Sequence, residues 1–423
     1  MAGDIDNLLA ALWRIESARI VGSVARIVRD VGLAEDLAQD ALVAALEHWP
    51  RDGVPDRPGA WLMTAARNGA FDLLRRDRLL RDKLQQIGAD LDALEAMHVP
   101  DIADELDARR GAVVRDDLLR LMFTACHPVL SLDARLALTL KLLGGLSTAA
   151  IARAFLVSEA TIAQRIVRAK RTLHDANLPF DLPAPGDLEE RLGTVLEAVY
   201  LIFNEGYNAS TGADWMRPAL VDEALRLGRI LAGLAPSEPE VHGLVALMQL
   251  QAARMAARLD AAGQPVLLLD QDRSRWDRVL LRRGLAALAR AGAGGAPRRY
   301  VLQAEIAACH ARAHRADLTD WHRIAALYGK LAVCQPSPVV DLNRAVAISM
   351  ADGPAAGLAI VDRLAQDGRL NGYHWLPSVR GDLLHKLGRD DEARAEFGRA
   401  ATMTTNAAER TLLLARAGSR CVT

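Results

Sequence analysis

The stretch "NLPFDLPAPGDLEER" at residues 177–191 places Pro179, Pro183, Pro185 and Gly186 close together. Proline removes a backbone donor and fixes φ, so no helix or strand runs through such a segment, and the 423-residue chain must fold separately on either side of it. On both sides the apolar residues recur at helical spacing. Leu8, Leu12 and Ile15, then Ile20, Val24 and Ile27, then Leu37, Ala41, Ala44 and Ala45 read as three helices, with Gly32 at the turn between the second and third. "HWPRDGVPDRPG" at 48–59 reads as a loop, and Pro58 suits the start of the next helix, "GAWLMTAARNGAFDLLRRDRLL", which runs to about Leu80. Residues 84–112 are acidic, poor in aromatic residues and carry Gly111 near their end, as an exposed linker would. A further helical unit is expected from near Asp116 to about Asp175.

Composition supports helices throughout. Ala, Leu, Arg and Glu dominate, and aromatic residues make up only 4%. No stretch approaches the roughly 20 apolar residues that span a bilayer, and the acidic "MAGDIDNLLAALWRIES" lacks the basic-then-apolar order of a signal peptide. A cytoplasmic protein without membrane contact is the expectation. Cys126, Cys309, Cys334 and Cys421 lie far apart with no CxxC pair, which predicts reduced, mostly buried thiols.

The formal net charge is -1, yet base is concentrated locally. Arg67, Arg75, Arg76, Arg78, Arg81 and Lys83 outnumber Asp72, Asp77 and Asp82 on one predicted helix. On another, Arg165, Arg168, Lys170 and Arg171 face only Glu159. That second helix ends "GGLSTAAIARAFLVSEATIAQRIVRAKRTL" at 144–173, which has the parts of a helix-turn-helix. Ser147 and Ser158 are placed to cap the two helices, Ile151 and Ala152 to face inward, and Val157 to be the buried turn residue. Ile162, Ile166 and Ala169 at i, i+4 and i+7 form the inner stripe. Outside it, Glu159, Thr161, Gln164 and Arg165 stand where base edges would be read, and Arg168, Lys170 and Arg171 where phosphates would lie. An amphipathic hairpin with a solvated basic face has the same pattern.

The order Gly-Leu-Ser-x-x-x-Ile-Ala followed by Val-Ser-x-x-x-Ile-x-x-Arg-Ile-x-Arg-Ala-Lys resembles the second DNA-binding domain of bacterial extracytoplasmic-function sigma factors. Such factors carry an earlier domain, and two further stretches resemble it. "GLAEDLAQDALVAALEHWP" is similar to the helix that docks on core RNA polymerase, with Glu35, Asp36, Leu37, Gln39 and Asp40 matching. "AWLMTAARNGAFDLLRR" is similar to the helix that recognises and opens the downstream promoter element, with Trp61, Arg67, Asn68, Asp72, Arg75 and Arg76 matching. Holding unstacked bases requires polar and cationic reach along one helix face. Core packing is the better reading for Trp61 and Phe71, and Asp72 is placed to pair with Arg75 or Arg76 on the helix surface.

The resemblance implies an all-α chain with two small helical sigma domains, the second a helix-turn-helix, followed by a helical-repeat domain. Its divisions are 1–83 for core docking and the downstream element, 84–115 for a linker and 116–176 for the upstream element. A Pro-rich linker follows at 177–188, then a tetratricopeptide-like domain at 189–423. In that last part "LLHKLGRDDEARAEFGRA" follows the tetratricopeptide order, "AISMADGPAAGLAIVDRL" echoes it weakly, and Gly357 precedes Ala393 by about 36 residues. Breaks between helices are expected at Gly212, "APSEPE", Gly263 with Pro265, "AGAGGAP", "QPSP", Gly353 with Pro354, and "LPSVRG". The implied partners are core RNA polymerase, promoter DNA and a protein or peptide on the repeat surface.

No catalytic residue, cofactor or metal is expected. His310 and His314 have the i, i+4 spacing of a zinc helix, but Ala311 stands where a catalytic Glu would be. "VLLLDQDRSRWD" at 266–277 lacks EF-hand spacing and reads as a loop held by Arg-Asp pairs through Arg273 and Arg275, with Trp276 packed beside them. "FNEGYNAS" offers Glu205 and Tyr207 without a partner base or nucleophile. Two other classes fit parts of the pattern. A dimeric helix-turn-helix regulator would bind a palindrome without polymerase, and a repeat scaffold would show no salt-dependent DNA affinity.

Overall fold

The computed structural model describes residues 2–88, 107–155, 157–184, 186–208, 216–261, 263, 265–292 and 298–418. Most of the acidic linker stretch, the Gly212 break, all of the "AGAGGAP" run but its first two residues, and Cys421 lie outside these residues. Among the described residues the structure is α-helical, with short 3-10 turns and an isolated bridge between Leu259 and Pro265. It divides into two compact units, 1–198 and 199–423.

The first unit begins with α1 (Ala2–Val28), α2 (Val31–Asp52) and α3 (Pro58–Gly88). The first two predicted helices are one: nothing between Ile15 and Ile20 breaks a helix, and Gly22 is kept inside it. A Cβ on Gly22 would come within 3.1 Å of the Asp117 carbonyl oxygen, so its absence lets a later helix approach. The turn falls at Arg29 (φ 57°), and Asp30 caps α2 by accepting from Leu33 N–H. Gly32 therefore lies in the first turn of α2. Ala34, Ala38, Ala41 and Ala45 form a buried small-residue stripe on α2 that lets α1 and α3 pack closely. The loop expected at 48–59 is shorter than predicted. Buried Trp49 holds the last turn of α2 in place around Pro50, and the helix ends only at Gly53, whose φ of 87° favours glycine.

The unit continues with α4 (Asp107–Ala125), α5 (Leu132–Leu142), α6 (Thr148–Phe155), α7 (Glu159–Asp175) and α8 (Leu188–Tyr207). Helix α4 starts within the stretch read as a linker and includes Gly111. Leu121, Met122, Leu138, Leu140 and Leu142 fill the core beneath it. The division between units falls inside α8 rather than at the Pro-rich run. The early turns of α8 bury Leu192, Val195 and Ala198, and Arg191 Nη2 donates to the Phe123 carbonyl at 2.9 Å.

The second unit holds the end of α8 and then α9 (Pro218–Leu234), α10 (Pro239–Ala252), α11 (Arg278–Ala291), α12 (Arg299–Arg312) and α13 (Trp321–Cys334). It closes with α14 (Pro338–Asp352), α15 (Pro354–Asp367), α16 (Trp375–Lys386), α17 (Asp390–Met403) and α18 (Ala407–Gly418). Helix α10 is buried almost all round, from Val241 to Leu250, and packs on α9, α11 and α12. From α12 onward each helix packs on its successor, the contact pattern of a helical repeat. The break expected at "LPSVRG" is absent. Pro377 sits in the first turn of α16, where no amide donor is required, and the chain turns at residues 368–374 instead.

The 266–277 segment is not held by Arg-Asp pairs. Arg273 donates to the carbonyls of His310 and Ala313 and to Thr319 Oγ1, and stacks over Trp276. Arg275 donates to the Leu259 carbonyl, while Asp272 accepts from Ser274 and Asp277 caps α11. Glu205 pairs with Arg217, and Tyr207 stacks on Phe203 beneath the Arg258 guanidinium. His310 is buried edge-on against Trp321, and burial, aided by Arg254 and Arg273, pushes its pKa down to about 3. Cys126 and Cys309 are buried and Cys334 is exposed, all three free.

Candidate polymerase and nucleic-acid interface

Helices α6 and α7 form the expected pair. Ser147 Oγ accepts from Ala150 N–H at 3.1 Å, and Ser158 Oγ accepts from Thr161 N–H at 3.1 Å. Ile151, Ala152, Ile162, Ile166 and Ala169 are buried. Val157 is only half-buried, and the turn is fixed instead by its N–H donating to the Ala152 carbonyl.

The outer face of α7 is not uniform. Glu159, Gln164, Arg168 and Arg171 are exposed, as is Thr161, whose hydroxyl lies 2.7 Å from Ser158 Oγ. Arg171 also pairs with Asp175 one turn on. Arg165 turns onto Asp133, with its Nη2 at 3.0 Å from Oδ2. Val129, Asp133, Thr161, Gln164, Arg165 and Arg168 line a half-open groove of about 420 Å³. The wall formed by Val129, between α4 and α5, and Asp133, in the first turn of α5, was missed in the sequence, because neither carries a pattern that ties it to α7.

Lys170, expected among the phosphate contacts, lies on α2. Its Nζ is 2.8 Å from Glu35 Oε2 and 3.2 Å from Asp36 Oδ1, and its side chain is only 20% exposed. Burial pulls the Lys170 ammonium down, but Glu35 and Asp36 outweigh it and hold its pKa above the ordinary lysine value. Lys141 adds a second cation at 3.4 Å from Glu35 Oε1. One turn further along α7, His174 Nδ1 lies 2.6 Å from Asp30 Oδ2. Burial pushes the Asp30 carboxyl up, yet the Leu33 N–H, His174 and the Gly32 N–H together hold it below the usual carboxylate range.

The residues that resemble a polymerase-docking set are therefore split. Glu35 is buried beneath the two lysines, Gln39 donates to it at 2.7 Å, and Leu37 belongs to the core. Asp36 and Asp40 remain exposed on α2. On α3 four of the six downstream-element residues are exposed. Asn68, Asp72, Arg75 and Arg76 are exposed, Arg67 is half-buried, and Asp72 pairs with Arg75 at 3.4 Å. Trp61 packs edge-on against Trp49 at 5.6 Å, as expected of a packing residue. Phe71 is not a core residue: it is 37% exposed on α3. Among the described residues no cluster of His, Cys, Asp and Glu is placed to hold a metal, and no helix is long and apolar enough to cross a membrane.

Comparison with known proteins places these helices in families. Residues 12–79 match Sigma-70 region 2, residues 120–173 match Sigma-70 region 4, and residues 191–292 match a family of unknown function, DUF6596. The chain is 46% identical to Uncharacterized protein R00370 of Rhizobium meliloti (strain 1021), over 92% of this chain and 90% of that one. It is 33% identical to ECF RNA polymerase sigma factor SigK of Mycobacterium sp. (strain KMS) over 26% of this chain, which spans 57% of that relative's length. Against SigK of Mycobacterium ulcerans (strain Agy99) it is 29% identical over 37% of this chain and 79% of that one. No solved structure matches.

Two helical bodies that match regions 2 and 4, in that order, define a sigma-70 factor. The chain belongs to the extracytoplasmic-function sigma factors, and it carries a long helical C-terminal extension that it shares with R00370 nearly end to end. It is an alternative sigma factor of transcription initiation, a class that works with core RNA polymerase and promoter DNA.

Proposed function

We propose that α2 docks on core polymerase, that α3 holds the opened downstream element through Asn68, Asp72, Arg75 and Arg76, and that α7 reads the upstream element through Thr161, Gln164 and Arg165. Arg168 and Arg171, with Lys170 once it leaves α2, contact phosphates. The observation that carries this reading is the presence of two separate exposed polar helix faces in one compact unit, on α3 and on α7. Two unlike faces suit two unlike promoter elements. Replacing Gln164 and Arg165 together by Ala should change which promoters are used, because each lost base contact removes about 1–3 kcal/mol of discrimination. Arg168→Ala should weaken all promoters alike and reduce the salt slope by about one unit. Run-off transcription on a panel of upstream elements checks both, and a uniform loss from the Gln164 and Arg165 double variant would sink their role as readers.

The second unit, in this reading, regulates the first in cis. Support comes from its helix-on-successor packing, which presents extended surface for a protein or peptide, and from its being a compact unit of its own. A chain ending at residue 198 keeps the buried Val195 and the Arg191 bond to Phe123, so it tests regulation without stripping the first unit. Promoter-dependent transcription should differ between this chain and the whole protein. Equal activity and equal response would remove the regulatory role.

A further inference from the structure

From Val241 to Leu250 helix α10 is apolar except at His242 and Gln249. His242 Nε2 bonds the Pro236 carbonyl at 2.8 Å, whereas Gln249 is 6% exposed and its Oε1 has no hydrogen-bond partner among the described residues. A buried acceptor without a donor is costly, and a leucine or methionine would fill the same space without that cost. Gln249 lines a half-open cleft of about 330 Å³ where α9 and α11 flank α10, a volume at the small end of ligand pockets. On the α9 side stand Asp222 and Arg229, and on the α11 side Arg283. All three are exposed, and among the described residues none of them is in an ion pair. Arg229 Nε donates to the Leu225 carbonyl of its own helix, which leaves its two terminal nitrogens for other acceptors.

We infer that this cleft binds a free aliphatic α-amino acid. Two guanidiniums suit a carboxylate, which arginine holds through paired N–H donors. Asp222 and the Gln249 oxygen are acceptors and suit an ammonium. The other carboxylate of the lining, Asp277, is engaged as the cap of α11, where it accepts from the Val279 and Leu280 N–H groups. A phosphate dianion would face both aspartates and give the Gln249 oxygen nothing to accept. The rest of the lining is apolar, with Leu225 on one side and Val279 and Leu280 on the other, so an aliphatic side chain is the one it covers. The cleft is also fixed in shape, because each arginine adjoins a glycine that draws its helix onto α10. A Cβ on Gly228 would lie 2.6 Å from Met248 Cε, and one on Gly284 would lie 2.8 Å from Leu250 Cγ. Groups held in place before binding lose little freedom when a ligand arrives.

Calorimetric titration of the full chain with L-valine, L-leucine, L-isoleucine and L-methionine tests the site. At least one should bind, and at a hundredfold excess over its dissociation constant it should raise the unfolding midpoint of the second unit by roughly 5–10 °C. The matching amine lacks the carboxylate and the matching N-acetyl amino acid lacks the ammonium; for leucine these are isoamylamine and N-acetyl-L-leucine. Each should bind about tenfold more weakly or worse. Arg229→Ala combined with Arg283→Ala, both at exposed positions, should weaken binding by about tenfold or more and leave the midpoint without ligand unchanged. Gln249→Leu should weaken binding likewise, while its midpoint without ligand holds or rises because apolar bulk replaces an unpaired amide. No binding by any of the four amino acids, equal binding of the amine or the N-acetyl form, or undiminished binding in either variant would overturn the proposal. None of these readouts involves polymerase or DNA, so the outcome is independent of the assignments made in the first unit.

Discussion

Asp40→Arg is expected to lower capture of core RNA polymerase at least about tenfold while leaving the thermal midpoint of the protein unchanged. Asp40 is exposed on α2, one turn beyond Asp36, and bears no ion pair among the described residues. A charge change at such a position shifts folding stability by no more than about 0.5 kcal/mol. At an interface the same change replaces an attraction with a repulsion, which costs several kcal/mol when the partner surface is basic. The loss should be greatest at low salt and shrink as ionic strength rises, since exposed charges are screened beyond about 10 Å at 0.1 M. Pull-down of core polymerase across a salt series, with thermal unfolding beside it, separates lost docking from lost fold. Full capture at low salt would remove α2 from the docking surface.

Gly243→Val is expected to destabilise the second unit by roughly 3 kcal/mol, lowering its unfolding midpoint by about 6–12 °C. Gly243 lies on α10 where α12 crosses it, and a Cβ there would come within 2.7 Å of Val301 N and 3.0 Å of the Tyr300 carbonyl carbon. Both are backbone atoms, so the clash is relieved only by moving α12. That movement would pull the Tyr300 and Val301 amides off Glu240, whose carboxylate accepts from both at 3.0–3.1 Å. Gly243→Ala sets the lower limit of the effect. Calorimetry of the full chain checks the shift, and an unchanged unfolding profile would mean that the α10–α12 crossing is looser than its geometry indicates.

What the chain announces of itself depends on how local the cause is. The caps at Ser147 and Ser158 and the inner stripe of α7 follow from spacing within one helix, and they were readable as such. The single α1 is equally local, since nothing between Ile15 and Ile20 breaks a helix, but the extension of α2 through Pro50 is not, because tertiary burial of Trp49 decides it. At the site, the row on α3 was legible only through its resemblance to the helix that opens the downstream promoter element. The fate of Glu35 and Lys170 was not legible: they meet across more than a hundred residues of sequence, and each looks like a solvated surface charge until α7 lies on α2. Arg273 shows the same limit in the second unit, since its acceptors are backbone carbonyls of α12 and the segment beyond it rather than the nearby aspartates that composition offered.

Run-off transcription with purified core polymerase tests the central assignment most directly. The full chain added to core enzyme should start transcripts at defined promoters bearing two unlike elements, core enzyme alone should not, and the Arg75→Ala, Arg76→Ala double variant should retain core binding but lose initiation. Sequence-specific binding to a palindrome by the chain alone, with no promoter-directed transcript when core polymerase is present, would contradict it.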